Sequence, residues 1–519
     1  MLHQFDKVLD SLQERKEHLK HHIYLNGNFA PVADEHAGVP VTVVQGEIPR
    51  DLDGLFARIG SNPIPEQMSK RYHWFDGHGM LHNLRIQDGK ACYSNAYVPT
   101  PRYTIEKEFG EQFFNQIGEL TGLSGLAKIL FINVQKAEAV GGGRNTMGQA
   151  NTHSIMYQHK FYCCHEASFP FEIVLKDDGS IDKAIGYETF QGVLNFPVSA
   201  HPKHDPKTGN LLFHSYTTDP DLIRDEAPIK VGEYCAETNK IQSYLGINHG
   251  DTHTPLAHDM MFTENWIVVY DSSVHFDPKQ LFVPGGSYFG WTPDYNLRIG
   301  LVPRGENVSA AEVLWFDTGQ PQSIVHPLSA WEEPDGTVVM WAPIGDKFDD
   351  LDKCSNFFYM SEYRMDPKTG SVTMTVIDKE NNVEFPRVRD DCLGQFCRFG
   401  YSGILDQTLG GEGLVRGFVV WDMLEKKIHK VVNFGKDDIG GEPVVIPKPG
   451  TTESNAVYIG TFTYNPKEKT SDFVLYDGET CLEEPVVRLR IPHRVPFGFH
   501  GQWVNGTDLR RHVDFHSHT

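Results

Sequence analysis

The stretch RVPFGFHGQWV, residues Arg494–Val504, lies near the C-terminus and places one histidine, His500, between two glycines. Glycine lets neighbouring backbone approach closely, and the aromatic residues on either side form a dry wall. One histidine in such a setting is more often a half-buried core residue than a metal ligand. Its significance comes from three histidines in similar settings upstream, namely His201 in SAHPK, His258 in LAHDMM and His326 in SIVHPL.

The spacing of these histidines indicates a repeat. Successive members of the set are separated by 57, 68 and 174 residues, and the last interval is about three steps of 58. Glu384 and Glu442 are also 58 residues apart, and His500 follows 58 residues after Glu442. A near-constant step, with a polar residue in an apolar or glycine-rich strand each time, predicts repeated blades around one axis. Equivalent positions on such blades converge on the central channel.

The rest of the chain favours β-structure. From about residue 38, short runs of β-branched and aromatic residues such as NWIVVYDS, TVVMWAPI and AVYIGTF are bounded by turn residues. The turn sequence DPKTG occurs twice, at Asp205–Gly209 and Asp366–Gly370, and its proline and late glycine suit tight reverse turns. Neither a phosphate-binding glycine motif nor a strand–helix alternation is present, so the chain is predicted to be all-β.

Composition excludes several classes of function. The formal net charge of −22 leaves no basic excess to neutralise phosphates, which argues against nucleic-acid binding. No run of 18 apolar residues predicts a spanning helix, and the N-terminus lacks the apolar core of a signal peptide. The eight cysteines form no CxxC pair, which favours free thiols in a reducing compartment. We therefore expect a cytoplasmic protein, with peripheral membrane association left open and no protein partner implied.

Two segments have helical periodicity. The N-terminal arm, residues 1–24, is predicted to be an amphipathic helix packed on the outside of the barrel. In residues 111–134 the apolar spacing predicts two short helices that are split near Gly122–Gly125. This second segment either packs on the β-structure or contacts a membrane through an exposed apolar patch, for which the candidates are Phe113, Phe114, Ile117 and Leu130.

These motifs, taken in order, resemble the carotenoid cleavage oxygenase family, which also includes the retinal pigment epithelium isomerase and stilbene-cleaving oxygenases. The similarity extends through LNGNFAPV (25–32), GEIPRDLDGLFARIGSNP (46–63), RYHWFDGHGMLH (71–82), the histidine motifs and VPFGFHG, and covers nearly the whole chain. It implies a seven-bladed β-propeller with a helical cap over an axial metal site. The implied domain division is an arm at 1–24, one propeller domain at 25–505 with a cap insertion at about 104–136, and a C-terminal tail at 506–519.

The resemblance also implies the cofactor and its surroundings. One Fe(II) per chain would be held by His201, His258, His326 and His500, with O2 as co-substrate. Imidazole alone also suits Zn, Cu or Ni, so the metal is named by the family and not by the spacing. The ring nitrogens that face away from the metal need orienting partners. The family pairs imply Glu166 with His258, Glu384 with His326 and Glu442 with His500, while His201 has no carboxylate partner.

Other residues in the motifs are assigned by the same resemblance. Thr152 matches a position near the open iron site. His153 follows it where a smaller residue is usual, and His78 stands where the family usually has Asp. His204, three residues after His201, is predicted to face solvent at a turn. Phe497 and Phe499 are candidates for the wall of a substrate tunnel.

The implied reaction is the cleavage of a C=C bond of a carotenoid or apocarotenoid by O2, which gives two carbonyl products. One alternative is the cleavage of stilbene or phenylpropanoid alkenes, in which relatives use a Tyr and a Lys to engage a phenol. Tyr97 aligns with that Tyr and Asn145 with that Lys, although Lys136 lies nearby. A second alternative is a non-catalytic propeller that binds a carotenoid or a metal. In each case the partner is a lipophilic polyene or an aryl alkene.

Overall fold

The computed structural model describes residues 22–518 apart from 65–71, 121–124, 126, 129–132, 196, 217–226, 248–253, 277–278, 280–288 and 350–355. Short antiparallel strands make up most of this part of the chain. The α-helices with described bounds are α1 (Pro101–Phe109), α2 (Asn133–Ala139) and α3 (Gly506–Ser517). Single 3-10 turns include Ile23–Leu25, Gly27–Phe29, Trp74–Asp76, Ile117–Glu119, Arg144–Thr146, Ala310–Glu312, Asp390–Cys392 and Gln407–Glu412.

The first strands in chain order are β1 (His36–Pro40), β2 (Thr42–Gly46), β3 (Gly54–Asn62), β4 (His78–Gln87), β5 (Lys90–Tyr97), β6 (His153–Tyr157), β7 (Lys160–Cys164), β8 (Phe171–Leu175), β9 (Ile181–Tyr187), β10 (Lys203–His204), β11 (Leu211–Tyr216), β12 (Ile229–Cys235), β13 (Lys240–Ile247), β14 (Met261–Phe262), β15 (Trp266–Asp271), β16 (Val274–Phe276) and β17 (Phe289–Trp291). They continue with β18 (Arg298–Pro303), β19 (Leu314–Asp317), β20 (Ser323–Ile324), β21 (Ser329–Glu332), β22 (Val338–Gly345), β23 (Tyr359–Asp366), β24 (Ser371–Asp378), β25 (Val383–Arg387), β26 (Phe399–Leu405), β27 (Val415–Asp422), β28 (Lys427–Asn433), β29 (Ile439–Gly440), β30 (Val444–Pro447), β31 (Val457–Asn465), β32 (Thr470–Asp477), β33 (Val487–Arg490) and β34 (Gly501–Asn505).

Most strands pair with their neighbours in sequence. Four-stranded sheets are formed by β6 to β9, by β10 to β13, and by β14, β15, β18 and β19. Strands β20 to β24 form a five-stranded sheet, β16 pairs with β17, and a ten-stranded sheet contains β2 and β25 to β33. The prediction of an all-β chain is confirmed.

The two ends of the chain are joined through shared sheets. Strand β34, which begins directly after His500, pairs with β3, so that Phe56 lies opposite Trp503 and Arg58 opposite Gly501. Strand β2, near the N-terminus, pairs in turn with β33. The order of the first sheet is therefore β1-β5-β4-β3-β34, and the last strand of the chain completes the sheet that the first strands begin.

The hydrophobic core lies between adjacent sheets. Phe56 of β3, for example, packs against Phe462 of β31 and Phe473 of β32, with ring centroids 5.2 and 4.9 Å apart. The rings meet edge to face, which is a favoured geometry for buried aromatic pairs. Packing of this kind is consistent with the burial of β3, β8 and β22 along their whole length, whereas strands such as β9 and β24 are largely exposed.

Both DPKTG segments form the predicted reverse turns. The Asp205 carboxylate accepts from the Lys207 N–H at 2.9 Å, and the Asp366 carboxylate accepts from the Lys368 N–H at 2.9 Å. Gly209 closes its turn with φ of +76°, which a residue with a side chain adopts only under strain.

Helix α1 begins and ends at residues that suit a helix start and stop. The Thr100 hydroxyl caps the first turn by accepting from the Tyr103 N–H at 3.1 Å, and Pro101 occupies the first helical position. Gly110 ends the helix in the left-handed conformation, with φ of +68°.

The predicted helix at the start of residues 111–134 is wrong for the part that the structure describes. Residues 111–120 form only the 3-10 turn Ile117–Glu119. The Glu106 carboxylate accepts from the backbone N–H groups of Phe113 and Phe114 at 3.1 and 2.8 Å. The Asp76 carboxylate accepts from those of Ile117 and Gly118 at 2.5 and 3.1 Å. These carboxylates bind the amides that an α-helix would bond internally, so the segment follows the surface on which it lies.

The predicted apolar patch also changes. Phe114 is buried, because its ring lies under the Arg102 guanidinium at 5.5 Å, whereas Phe113 is half-buried and stacks on Phe109 at 5.2 Å. Phe109, at the end of α1, is 58% exposed and was not in the predicted set. Leu130 and the split near residues 122–125 fall largely outside the described part of the chain.

The structure describes little of the N-terminal arm but most of the C-terminal segment. The predicted N-terminal amphipathic helix lies outside the described residues, apart from its last positions 22–24. Residues 506–519, predicted as a tail, are mostly helix α3, in which Leu509 is fully buried and the Asn505 side chain caps the N-terminus. Among the described helices, none has the length and apolar character to cross a membrane.

Candidate metal centre

Four imidazoles meet at one point of the structure. The nitrogens that His201, His258, His326 and His500 can offer to a metal all lie within 4.8 Å of one another. The Nε2 atom of His258 is 3.1 Å from Nε2 of His201 and 3.1 Å from Nε2 of His326. The sequence predicted this convergence.

Each imidazole comes from the edge of a different sheet. His201 precedes β10, His258 precedes β14, His326 follows β20, and His500 precedes β34. These strands belong to four separate sheets, so equivalent positions of the repeat converge although they are far apart in the sequence. The approximately 58-residue step measured in the sequence corresponds to the passage from one sheet to another.

The four side chains fit a divalent metal. Four imidazole nitrogens crowded at these distances repel one another when protonated, and neutral imidazole is the form that coordinates metals. Burial and the neighbouring His500 and His258 hold the pKa of His201 well below its usual value. Burial likewise lowers the pKa of His500. The site therefore offers imidazole nitrogen donors, which suit Fe, Zn, Cu or Ni.

Three of the imidazoles are oriented by carboxylates. The pairs, with their Nδ1-to-oxygen distances, are His258 and Glu166 at 3.0 Å, His326 and Glu384 at 2.7 Å, and His500 and Glu442 at 3.0 Å. A carboxylate that accepts from Nδ1–H fixes the tautomer that turns Nε2 towards the shared centre. No carboxylate forms an ion pair with His201 among the described residues. These are the contacts expected from the resemblance.

The electrostatics favour charged carboxylates at Glu442 and Glu166. Burial raises the pKa of Glu442, but His500 and Arg387, whose Nη1 lies 3.7 Å from the carboxylate, outweigh burial and hold the pKa at about 2. Glu166 behaves in the same way, because His258 brings its pKa to about 2 against the effect of burial. Burial lowers the pKa of His258, but Glu166 outweighs it and the net shift is upward.

Aromatic side chains enclose one side of the centre. Phe499 lies 4.7 Å from Trp74 and 5.2 Å from Phe75, and Phe497 lies 5.8 Å from Trp74. The sequence predicted Phe497 and Phe499 as wall residues, and the structure places both in a buried aromatic cluster beside His500. Trp74 and Phe75, in the segment HWFDG, were missed, although an aromatic pair in a glycine-containing turn is a recognisable signal.

Phe385 is a further residue that the sequence did not indicate. Its ring stacks on His326 with centroids 6.0 Å apart and lies 5.6 Å from His500. Its φ is +53°, a left-handed conformation that is unfavourable for a residue with a side chain, and β25 is irregular between Glu384 and Arg387. The irregularity directs the Glu384 carboxylate and the Phe385 ring to the same imidazole.

Gly498 is required by its surroundings. A Cβ added at this position would lie 1.5 Å from Nη1 of Arg58, so the glycine lets the buried guanidinium pack against the loop that carries His500. The sequence predicted close backbone approach in this loop, and the contact of Gly498 with Arg58 is where it occurs.

The other sequence candidates lie at different distances from the centre. The Thr152 carbonyl accepts from the His500 N–H at 3.4 Å, while its hydroxyl donates to Asn151 at 2.9 Å. Tyr97 belongs to a separate cluster with Met80 and Tyr103, and its hydroxyl accepts from the Asn62 amide at 2.6 Å. The structure records no contact between Tyr97 and the four imidazoles among the described residues.

The competing histidines are also separated from the cluster. His204 is exposed, as predicted, and lies in the two-residue strand β10. His78 pairs with Glu106 at 3.0 Å, under the segment 113–114. The ring of His153 is 5.2 Å from that of His201, close to the centre but outside the ligand cluster.

Comparison with known proteins places the chain in a family. Residues 29–505 match the family profile described as Retinal pigment epithelial membrane protein. A carotenoid 9,10(9',10')-cleavage dioxygenase 1 of Arabidopsis thaliana is 30% identical over 97% of this chain and 95% of its own length. A carotenoid 9,10(9',10')-cleavage dioxygenase of Crocus sativus is 28% identical over 94% and 90%.

Solved structures share the fold. The lignostilbene dioxygenase of Pseudomonas brassicacearum superposes with a TM-score of 0.78 at 22% identity, covering 94% of this chain and 99% of that one. The cobalt-substituted ACO of Synechocystis gives a TM-score of 0.75 at 20% identity, covering 92% and 97%. From the profile match and the Arabidopsis relative together, this chain is a member of the carotenoid cleavage oxygenase family.

Proposed function

We propose that this protein is a dioxygenase that cleaves a C=C bond of a carotenoid or apocarotenoid with O2 to give two aldehyde or ketone products. The observation that carries the proposal is the cluster of four imidazoles, three of them oriented by carboxylates, beside an aromatic wall. Membership of the family and the names of the plant relatives support this substrate class.

The metal that we assign to the centre is ferrous iron, one per chain. His201, His258, His326 and His500 would hold it, and the neutral set leaves its double positive charge uncompensated by ligands. Iron supplies the redox chemistry with dioxygen that no side chain of the site can supply. The reaction balances without a further co-reactant, because both atoms of O2 end in the two carbonyl groups.

The protein itself positions the reactants and excludes water. Glu166, Glu384 and Glu442 fix the imidazoles, so that the centre is preorganised. The cluster around Trp74 and Phe499 supplies apolar surface for a polyene, whose conjugation already makes its double bonds electron-rich. Thr152, next to His500 through its carbonyl, is our candidate for shaping the dioxygen position.

We assign a seven-bladed propeller to the fold. Five sheets of four or five strands account for five blades. The ten-stranded sheet divides at the short strand β29 into β25 to β28 and β30 to β33 with β2, which gives two more. The pairing of β34 with β3 would close the ring. Residues 25–505 would form this domain, with the arm at 1–24 and α3 packed outside it.

The cap is assigned to residues of about 104–136, which include the end of α1 and the start of α2. We propose that this region contacts a membrane, from which a lipophilic substrate would be collected. Phe109 and Phe113, stacked and at least partly exposed, support a contact surface at the start of residues 111–134. Burying such side chains in lipid stabilises binding by roughly 1.5–3 kcal/mol each at full burial. A cytoplasmic location remains a prediction.

A second candidate function is the cleavage of hydroxystilbene-type alkenes, and Lys136 favours it. This lysine is 1% exposed, and its ammonium donates to the Phe113 carbonyl at 2.7 Å and to the Asn115 side chain at 3.3 Å. A buried cation in the cap is what a phenolate would require. Asn145, the aligned position, instead donates to the Asn195 carbonyl at 3.3 Å near the surface.

The deciding experiment is mass analysis of products from a panel of carotenoids, apocarotenoids and hydroxystilbenes, with oxygen uptake followed in parallel. We expect paired carbonyl products from a carotenoid or apocarotenoid and none from the His326→Ala variant. Faster cleavage of resveratrol than of every polyene would reverse the ranking. In that case Lys136→Met should abolish stilbene cleavage. Metal binding without oxygen uptake on any substrate would support a non-catalytic binding protein.

A further inference from the structure

The centre borders on a second compartment. A cavity of about 730 Å³ is lined by His201, His326 and His500 at its inner end, whereas the aromatic residues Trp74 and Phe499 do not line it. Its outer rim carries exposed side chains such as His204 and Asp390. The cavity therefore connects the imidazole cluster with solvent by a route that does not pass the aromatic wall.

The wall of this cavity carries three further imidazoles, those of His153, His159 and His204, and His153 and His204 lie near opposite ends. His153 and Tyr157 are four residues apart on β6, so they lie on one face of the strand about 13 Å apart along it. The His153 ring is 5.2 Å from His201 and 5.7 Å from His500. The Tyr157 ring is 5.6 Å from His204. His204 thus lies beside the outer end of β6, and His153 lies on its inner end.

His153 carries a nitrogen that the protein leaves unused. Its Nδ1 atom is buried and has no hydrogen-bond partner among the described residues. A buried imidazole nitrogen without a partner is costly to maintain and indicates a ligand or a solvent-exchanging role. Because His153 stands outside the four-nitrogen cluster, it is not needed to complete that cluster.

Charged side chains line the cavity, and two of its ion pairs are close. Lys203 pairs with Asp259 at 2.7 Å, and Arg387 pairs with Asp390 at 3.3 Å. Carboxylates outnumber cationic side chains in the lining, which contains Asp51, Asp53, Asp259, Asp390, Asp391, Glu442 and Asp508 against Lys203, Arg387, Arg389 and Lys448. This excess of negative charge favours the entry of a small hydrated cation.

We propose that this cavity is the passage by which a divalent metal ion reaches and leaves the four-histidine centre, with His204 and His153 as successive transient ligands. The inference rests on the proposed metal function of the centre. It separates the two routes, because an apolar substrate would reach the centre along the cluster of Trp74 and Phe499 and the cation would pass through this cavity.

The test measures the rate of metal uptake by the full-length protein after chelation. Apo-protein is mixed anaerobically with Fe²⁺, and bound metal is determined after rapid desalting at set times; Co²⁺ uptake followed by absorbance provides a second readout. The variants are His204→Ala, His153→Ala and the double variant, and His429→Ala, an exposed histidine away from the cavity, is the matched control. Melting temperatures of the apo-proteins show whether each variant is folded.

We expect each single variant to slow uptake about tenfold, equivalent to about 1.4 kcal/mol on the barrier, with final metal content unchanged. The rate of metal release into excess chelator should slow by the same factor, since a transient ligand lowers one barrier in both directions. His429→Ala should match the parent protein. Parent-like uptake and release in both His204→Ala and the folded His153→Ala would overturn the passage while leaving the metal centre in place. Failure of the parent protein to bind metal would overturn both proposals.

Discussion

The carboxylate of Glu442 makes two different contacts with its two oxygens. Oε1 accepts from His500 Nδ1 at 3.0 Å, and Oε2 accepts from the Gly501 N–H at 2.6 Å. The residue is buried, with 4% of its surface exposed, so water does not replace a lost partner. Replacing Glu442 by glutamine keeps the shape and leaves one oxygen in place of two.

In the Glu442→Gln variant the amide nitrogen must face either His500 or Gly501. Both of these groups are donors, so one hydrogen bond is lost and two donors are set against each other. A hydrogen bond to a charged group contributes about 1.5–3 kcal/mol. Loss of an orienting partner typically costs 10–100-fold in metal affinity, which is roughly 1.4–2.7 kcal/mol. The two magnitudes agree, and we expect a fall in metal affinity within that range.

Glu166 and Glu384 should tolerate the same substitution better. Glu166 receives His258 Nδ1, the Ala200 N–H and the Ser199 hydroxyl on a single oxygen, Oε1, at 3.0, 3.3 and 3.4 Å. Glu384 receives His326 Nδ1 on Oε2, the same oxygen that accepts from the backbone of the following residue. A glutamine carbonyl can take the place of that one oxygen, so these donors keep their acceptor and only the charge is lost.

The assay is an anaerobic titration of apo-protein with Fe²⁺ in competition with a chelator of known affinity. Glu442→Gln should lose more affinity than Glu166→Gln or Glu384→Gln, and the exposed Glu425→Gln serves as the control. Arg387 lies near the Glu442 carboxylate but also pairs with Asp390 at 3.3 Å. It therefore keeps a carboxylate partner in Glu442→Gln, and its charge should not alter the comparison of the three variants. Equal losses in the three glutamine variants, or none in Glu442→Gln, would refute the argument from oxygen usage.

Replacing His201 by alanine should abolish turnover and most bound metal, whereas His204→Ala should keep both at equilibrium; metal analysis showing the opposite pattern would mean that the ligand assignment is wrong. Phe109→Ser should lower co-sedimentation with liposomes at an unchanged melting temperature, while Phe114→Ser empties a buried position and should cost about 3–5 kcal/mol in unfolding free energy. Unchanged liposome binding in Phe109→Ser would exclude this surface as the membrane contact. Burial raises the pKa of Glu106, but neighbouring cationic side chains outweigh it and lower the pKa to about 2, from 4.5. Its stabilising contribution is therefore present above pH 4.5 and is lost as the pH falls towards 2, so the melting temperature should drop more steeply over that window in the parent protein than in Glu106→Gln.

The sequence was most informative where chemistry requires a particular residue type. The four histidines and the orienting carboxylates stand in short motifs, and a repeat of about 58 residues converts distance in the chain into proximity around an axis. Gly498 could be predicted as a point of close approach, but not the Arg58 guanidinium that requires it. The identity of the contacting group depends on the pairing of β3 with β34, which joins residues more than 400 positions apart.

The features that the sequence did not predict also depend on contacts between distant segments or on local backbone geometry. Apolar spacing in residues 111–120 predicted a helix, yet Glu106 and Asp76 bind the amides that the helix would use. Periodicity reports which side chains can share a face, and it does not report acceptors supplied by other segments. Phe385 escaped notice because its role depends on a positive φ and an irregular strand, neither of which has a signature in residue type alone.

The position of His500 couples the centre to the joining of the chain ends. Its own carbonyl accepts from the Ile59 N–H at 3.0 Å, and the Phe499 N–H donates back to the Ile59 carbonyl at 3.0 Å. The imidazole is therefore held by the same residues that attach the C-terminal strand to the first sheet. A metal bound by His500 together with three histidines from other sheets would link that attachment to the rest of the structure. Since a ligand that binds only the folded state stabilises it by mass action, metal binding and the β3–β34 pairing should reinforce each other.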